Sequence, residues 1–535
     1  MKLVEEIPHA STGLFNKLFL DYISDSDRLE SYYHFKPNWD GIGKSIAEKK
    51  SQNYNRLVLH NVLSEQNEKY FSRFSLLRDQ INIVKEINTF FVTTGHQLCF
   101  ASGPLYTIYK ICDVITLSQQ IKKQFPDCNF IPLFWMASED HDLEEINHIH
   151  LFGNKFSWNN TDASLSGRLS LNTIAPILSE LKDFFKNSKD WSATLHELDS
   201  IYNSSSHQNY ADATRAFLYH LFGHYGLLIL DPDSDELKSQ FAPVVKKEFI
   251  EKQTLQNIQI ANKRLEADGY HIQAKAKTIN SFYIKDQKRI AIEYNEETQK
   301  FLIDSIEYTL DEIIDEVDKY PGRFSPNVFF RPLYQELLLP NISYSGGPGE
   351  IAYWLQMKEM FEYYGVKMPA LIPRSNYMII DSKMQQFFSD HSILYAYLFK
   401  STDELIRLLI SNKEGEALGL SDTLKQELYN VYDAILKESE SIDKGLIPYI
   451  ESEKAKAIKF LSNLDSKIIR SKKRVYDESV QKIKNYHNKL FPDGIPQERY
   501  ENILAYYKNC EDSFIENILQ INNPLKFQFK IVVSN

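Results

Sequence analysis

One stretch constrains this chain more than any other: FFVTTGHQLCFASGPLYTIYK, Phe90 to Lys110. A β-branched and aromatic run, Phe90 to Thr93, has the composition of a buried strand. A loop carrying Gly95, His96, Gln97, Ser102 and Gly103 follows. An amphipathic stretch then opens at Pro104, and a helix loses nothing by having proline in its first turn. Strand, glycine-bearing loop and helix is the order in which α/β proteins aim backbone N–H groups and a positive helix end at an anion. A tight strand-to-helix turn is the plainer alternative, and the stretch alone does not choose between them. A second stretch does more: IPLFWMASEDHDLEEINH, Ile131 to His148. It is another apolar run ending in a dense polar cluster, at a spacing that fits one βαβ unit. Both charged loops would then emerge at one edge of a parallel sheet, where such folds bind ligands.

At 535 residues the chain exceeds what one hydrophobic core supports, so two or more domains are expected. A net charge of −11 argues against general nucleic-acid binding, which favours a basic surface. No apolar run suits a signal peptide or a membrane span, and the expected location is the cytoplasm. Cys99, Cys112, Cys128 and Cys510 show no C-x-x-C spacing and read as reduced thiols. A catalytic thiol at Cys99 lacks an activating base nearby in sequence.

The first 90 residues alternate aromatic-rich helical patterns with polar breaks. Beyond the first βαβ unit, helical patterns stand near 173–185 and 208–222, and GLLILDPD (Gly226 to Asp233) is another short strand ending in carboxylates. Between Gly269 and Ile306 the period changes: HIQAKA, SFYIKD, KRIAIEYN and KFLIDS predict a small antiparallel insert. The α/β pattern returns with LLPNISYSGGPGEIAYWLQMKEMFEYYG, which predicts a strand, a glycine loop and a helix from about Glu350 to Tyr364. A last strand, PALIPRSN, ends at Arg374 and Asn376. These segments predict a core over 1–400 with inserts at about 151–222 and 255–325. Over 401–500 the composition predicts a helical coiled coil, and 501–535 is expected to pack back on the core. Ser421 can cap a first helix marked by Leu424, Leu428, Val431, Ile435 and Ile442. Tyr449 to Phe491, free of Gly and Pro, predicts a second arm of roughly 60 Å at about 1.5 Å per residue. Its seam of Leu461, Leu464, Ile468 and Val475 is too apolar for water, and a homodimer through this arm is expected.

Three clusters could do chemistry. In Glu139-Asp140-His141-Asp142, carboxylates can hold an amine or hydroxyls, and His141 can move a proton near neutral pH. A metal is the competing chemistry there: on a continuing helix, His141/Glu145 and Glu144/His148 would be i,i+4 pairs. No strict zinc motif occurs, and no metal site is assigned. A solvated helix start is the structural alternative. The loop Ser345-Gly346-Gly347-Pro348-Gly349-Glu350 matches neither a Walker A nor a G-x-G-x-x-G pattern. It would let backbone approach a ligand, with Glu350 and Tyr353 turned toward it, or serve as a plain helix entry. Arg374 could receive a carboxylate or phosphate. Arg470 to Arg474 (RSKKR) reads as a solvated coiled-coil face, with phosphate binding as the alternative.

Taken together, GHQ…SGPLYTIYK, PLFWMASEDHDLEEINH, FSPNVFFRPLYQELLLPNISYSGGPGEIAYWLQ and LIPRSN resemble the BshC family, the cysteine-adding enzymes of bacillithiol biosynthesis. The likeness covers most of the chain in the same order. It departs at His96, where the family usually carries Gln. The resemblance implies a Rossmann-like core related in outline to class I aminoacyl-tRNA synthetases, inserted connecting segments and a C-terminal coiled coil. It implies a reaction joining the cysteine carboxyl to the amine of glucosaminyl-malate, and room for an adenine nucleotide. Amide formation from a free carboxylate needs activation, most simply as an acyl-adenylate or acyl-phosphate, yet neither a KMSKS-like lysine loop nor a Walker A is present. Whether ATP or ADP is cosubstrate or bound nucleotide stays open.

On this reading Gly95, Gln97, Ser102 and Gly103 cradle an anion at the helix start. Asp140, His141 or both orient and deprotonate the attacking amine, His96 is a further catalytic candidate, and Glu139 is expected to bind substrate. Gly346, Gly347, Glu350 and Tyr353 shape the pocket, and Arg374 with Asn376 meets a carboxylate such as that of the malate. Two other classes compete: a nucleotide-binding scaffold without catalysis, and a metal-dependent hydrolase built on the EDHD cluster.

Overall fold

The computed structural model describes residues 1–24, 27–162, 164–202, 207–414, 420, 422–511 and 513–534. Ser421, the expected helix cap, lies outside them. The chain divides into two compact units: Met1–Met378 with Gln497–Lys530, and Ile379–Pro496 with Ile531–Asn535. The first unit thus ends at Met378, ahead of the boundary expected near 400, and it takes in most of the C-terminal segment.

A five-stranded parallel sheet forms the centre of the first unit. Its order is Ala370–Pro373, Asn341–Gly346, Thr89–His96, Asn129–Met136, Leu228–Leu230. The strands are buried along most of their length, as a sheet covered on both faces requires, and Asn341–Gly346 is buried throughout although its sequence NISYSG is largely polar. The chain direction across the sheet reverses between Thr89–His96 and Asn341–Gly346, and this is the switch point where doubly wound sheets open a crevice. Register places Gly95 opposite Trp135 and His96 opposite Met136, while Gly346 lies opposite Pro373. All the polar strand ends therefore share one edge. The helix after the first strand is Leu105–Gln124, with Pro104 just before it in extended conformation rather than inside its first turn.

The insert between sheet segments is antiparallel, in the order Ile306–Tyr308, Lys300–Ile303, Lys288–Asn295, Ser281–Lys285, Phe324–Pro326. HIQAKA is not one of its strands. That segment has no regular secondary structure, and its backbone is bracketed at Ala274 by the Gln356 side chain: Ala274 N donates to Oε1 at 3.0 Å and Nε2 donates to Ala274 O at 2.9 Å. Gln356 can reach because the helix expected over 350–364 breaks into Pro348–Trp354 and Lys358–Tyr363. The helix Ser192–Tyr202, unmarked in the sequence, buries Thr194, Leu198, Ile201 and Tyr202.

In the second unit, Asp422–Ile442 packs along Ile447–Val475 as a helical hairpin. The second arm is not continuous to Phe491. It breaks at Tyr476 and resumes as Asp477–Leu490, whose acidic first turn suits a new helix start. Packing explains the break: Thr402–Glu414 lies against both helices, and Leu405, Ile406, Leu409, Ile410, Ile469, Val480 and Ile483 are buried. Among the described residues no helix is long and apolar enough to cross a membrane.

Candidate active site

A cavity of about 660 Å³ opens at the polar edge of the parallel sheet. Sheet loops contribute Gly95, His96, Gln97, Glu139, Asp140, Gly347, Glu350, Tyr353 and Arg374, and the antiparallel insert supplies Phe282 and Arg289. Of the residues expected from sequence, the cavity gathers these nine sheet-loop residues and leaves out His141, Ser102, Gly103, Gly346 and Asn376.

Lys110 organises the switch point. It projects from the first helix, fully buried, and donates to Gly95 O at 2.5 Å and to Glu350 Oε2 at 2.8 Å. The same carboxylate accepts from Gly347 N at 2.8 Å and from the Tyr344 hydroxyl at 2.7 Å. Burial alone would raise the pKa of Glu350, but the Lys110 charge and these donors hold it at about 2. Glu350 is thus a permanent anion that fixes the glycine loop, not a proton carrier. Gly346 lies behind it, where a Cβ would come within 3.2 Å of the Tyr344 ring.

His96 faces the cavity with Nε2 at 3.2 Å from the Tyr106 hydroxyl. Burial, and then the Lys110 charge, push its pKa down to about 3, so the ring is neutral at pH 7 and works as a hydrogen-bonding group. Cys99 sits behind it, its thiol pushed up to about 12 by burial, which makes it a packed thiol and not a nucleophile.

The EDHD segment does not continue as a helix. One turn, Leu143–Ile146, is capped by Asp142 and gives way to the strand His148–Leu151, so neither expected i,i+4 pair forms. Among the described residues no group of three His, Cys, Asp or Glu could hold a metal ion. Asp140 Oδ1 accepts from the backbone N–H of His141 at 2.7 Å and of Asp142 at 3.2 Å, while Oδ2 takes Gln97 Nε2 at 2.8 Å. That network aims one carboxylate at the cavity. His141 is half exposed at the rim, its ring 6.1 Å from that of Phe282. Glu139 is buried against Lys238 at 2.7 Å, and Lys238 also holds Asp233 at 2.7 Å.

The expected anion cradle at the first helix is closed by the chain itself. Leu105 N donates to Glu501 O at 2.9 Å, and Asn502 Nδ2 donates to Ala101 O at 2.9 Å and Gly103 O at 2.6 Å. Ser102 and Gly103 are enclosed beneath these contacts. The positive φ values of Ala101, Ser102 and Gly103 serve a tight turn.

Arg374 lines the cavity but is already spoken for: Nη2 donates to Glu498 Oε1 at 2.8 Å, with both side chains buried. Asn376 sits behind it, donating to the same Glu498 oxygen at 2.7 Å and meeting His9 at 3.1 Å. Sequence reasoning missed Lys110, Lys275, Lys277, Arg289, Arg331 and Arg499. Lys110 and Arg331 lie within the motifs quoted above, and a cation set in an apolar run was the available signal.

Comparison with known proteins adds to this geometry. Residues 1–375 match the family model described as bacillithiol biosynthesis BshC, N-terminal Rossmann-like domain, and residues 377–534 match its C-terminal coiled-coil domain. Three relatives, each named "Putative cysteine ligase BshC", span nearly the whole chain. The protein from Cytophaga hutchinsonii is 34% identical over 528 residues, covering 99% of this chain and 98% of its own. Those from Flavobacterium johnsoniae and Flavobacterium psychrophilum are 32% and 33% identical, each over 98% of this chain and over 99% and 98% of their own.

Proposed function

The chain belongs to the BshC family of bacillithiol biosynthesis, and from that premise we propose that it is a ligase joining the carboxyl of cysteine to the amine of glucosaminyl-malate, the step that completes bacillithiol. One observation carries the reading. In a chain of net charge −11, the cavity at the sheet's switch point is faced by six cationic side chains, Lys275, Lys277, Arg289, Arg331, Arg374 and Arg499. A basic cavity suits a substrate bearing carboxylates and an activated acyl group that carries phosphate.

The remaining groups have roles that follow from their contacts. Asp140, held by Gln97 and its own turn, takes a proton from the substrate ammonium. The freed amine attacks the acyl carbon of activated cysteine, the C–N bond forms, and the phosphate-bearing leaving group departs. ATP is the proposed source of that activation, as an acyl-adenylate or acyl-phosphate. Its phosphates would meet the exposed cavity cations Lys275, Lys277 and Arg499, because the N-terminus of Leu105–Gln124 is closed by Glu501 and Asn502. Neutral His96 and Tyr106 supply hydrogen bonds to sugar hydroxyls.

Purified protein incubated with glucosaminyl-malate, cysteine and ATP should yield bacillithiol by mass spectrometry. Asp140→Asn should lower the rate by about 100-fold or more, while His141→Ala at the rim retains most activity. Absence of product from the unmodified chain, or an Asp140→Asn variant as fast as it, would refute the assignment.

The second unit supports a proposal about assembly: a homodimer through the hairpin's second arm. Phe460, Leu464 and Val475 expose apolar surface there, Val475 at 76%. Such a stripe on a helix favours a symmetric partner. Light scattering should give twice the chain mass, and half that value for Leu464→Glu/Ile468→Glu. A monomeric unmodified chain at micromolar concentration would sink the idea.

A further inference from the structure

The six cations of the cavity are not equivalent. Arg374 is neutralised by Glu498 at 2.8 Å. Lys275, Lys277 and Arg499 are exposed, where solvent screens them. Arg289 and Arg331 differ from all four, because neutral groups hold them. Arg289 lies over the Phe282 ring at 4.3 Å, and its Nη2 donates to Pro326 O. Arg331 donates from Nη1 to Gln335 Oε1 at 3.2 Å and lies 5.5 Å from the Tyr344 ring centre. Arg331 also hydrogen-bonds the neutral Tyr353 side chain. Each still keeps one buried nitrogen, Nε of Arg289 and Nη2 of Arg331, with no well-aligned hydrogen-bond partner among the described residues.

The nearby carboxylates do not fill that gap. The acidic groups acting on Arg289 are Glu139, Asp140 and Asp233, and the one acting on Arg331 is Glu350. Glu139 is committed to Lys238, Asp233 to Lys238 and Arg168, and Glu350 to Lys110. Asp140 is occupied by Gln97 and its own turn. Two guanidinium groups therefore stand oriented in the wall, each with a donor left over. A buried donor without an acceptor is unfavourable, and a ligand oxyanion relieves it with a charge-assisted bond.

We infer that Arg289 and Arg331 are the specificity-determining anion site of the cavity and together receive the dicarboxylate end of the substrate. The assignment rests on the ligase reading above and goes beyond it by naming which cations read which part of the substrate. It gives the antiparallel insert a role, since Arg289 comes from the strand Lys288–Asn295. A sugar amine without carboxylates leaves both donors unpaired, and a site built this way rejects such a ligand strongly.

Calorimetric titration of the full chain with glucosaminyl-malate, methyl glucosaminide and ATP tests the assignment, comparing Arg289→Met and Arg331→Met with the unmodified protein. Each variant should bind glucosaminyl-malate about 10- to 100-fold more weakly while ATP affinity is unchanged. Methyl glucosaminide should bind the unmodified chain far more weakly than glucosaminyl-malate. Unchanged affinity for glucosaminyl-malate in either folded variant overturns the inference. Loss of ATP binding with glucosaminyl-malate untouched would assign the guanidiniums to phosphate, and that too overturns it. Should a methionine variant fail to fold, Arg289→Lys and Arg331→Lys keep the charge without the fork, and a loss of several-fold is expected; no loss contradicts the proposal. An unmodified chain that binds no glucosaminyl-malate refutes the ligase reading itself, so the two failures are distinct.

Discussion

Two glycine-bearing loops sit at neighbouring strand ends of the same sheet, and they have opposite fates. After Thr89–His96, the turn at Ala101–Gly103 is sealed: Asn502 bonds two of its carbonyls and Glu501 takes the first N–H of the following helix. After Asn341–Gly346, the loop Gly347–Glu350 lines the cavity, its conformation set by Lys110 and Glu350 from behind. Both stretches read alike in sequence, as glycines between a strand and a helix. The difference is whether a distant segment has already bonded the loop's backbone polar groups. A strand–glycine–helix pattern therefore marks a position in the fold, and only the packing decides whether a ligand can reach it.

Substitution can sharpen that contrast. The largest effect is expected at Gly103. Its φ of +66° disfavours any side chain, and a Cβ would stand 2.6 Å from the Cys99 Cβ. Gly103→Val should cost about 3–5 kcal/mol, from backbone strain plus overpacking, read as a lower melting temperature. Ligand affinity of the protein that remains folded should be unchanged. Gly347 is the milder case: its φ of −72° is open to any residue, and a Cβ would make ordinary contacts at 3.5 Å with Arg374 and Glu350. Gly347→Val should cost about 1 kcal/mol of stability. Its side chain would intrude on the cavity and weaken glucosaminyl-malate binding by about tenfold. If Gly103→Val lost ligand affinity while keeping its stability, the roles of the two loops would be reversed.

The parallel core was legible because most of its strands carry a short apolar run with polar residues at its end. Asp140, Glu350 and Arg374, which line the cavity, stand out in the sequence for the same reason: they come at or shortly after strand ends. Arg289 and Arg331 were not found, since one alternates with Ile290 and Ile292 along a strand and the other follows Phe329 and Phe330 on a helix. In both settings a charge reads as a solvated face, and only the meeting of insert and sheet turns it inward. A histidine between carboxylates suggests proton transfer at His141, whereas the short capped turn sets its ring half exposed at the rim. The helix break at Tyr476 was hidden as well. No Gly or Pro marks it, and it follows from docking Val480 and Ile483 against Thr402–Glu414.

Hydrogen exchange of the full chain, with and without saturating glucosaminyl-malate, locates the site most directly. Slower exchange is expected at Asp140–Asp142, Phe282–Ile292 and Gly347–Tyr353, with Leu98–Leu105 unchanged because the N–H groups of Cys99, Ala101, Gly103 and Leu105 are already bonded within the chain. Protection centred on Leu98–Leu105, with Gly347–Tyr353 unaffected, would contradict the account.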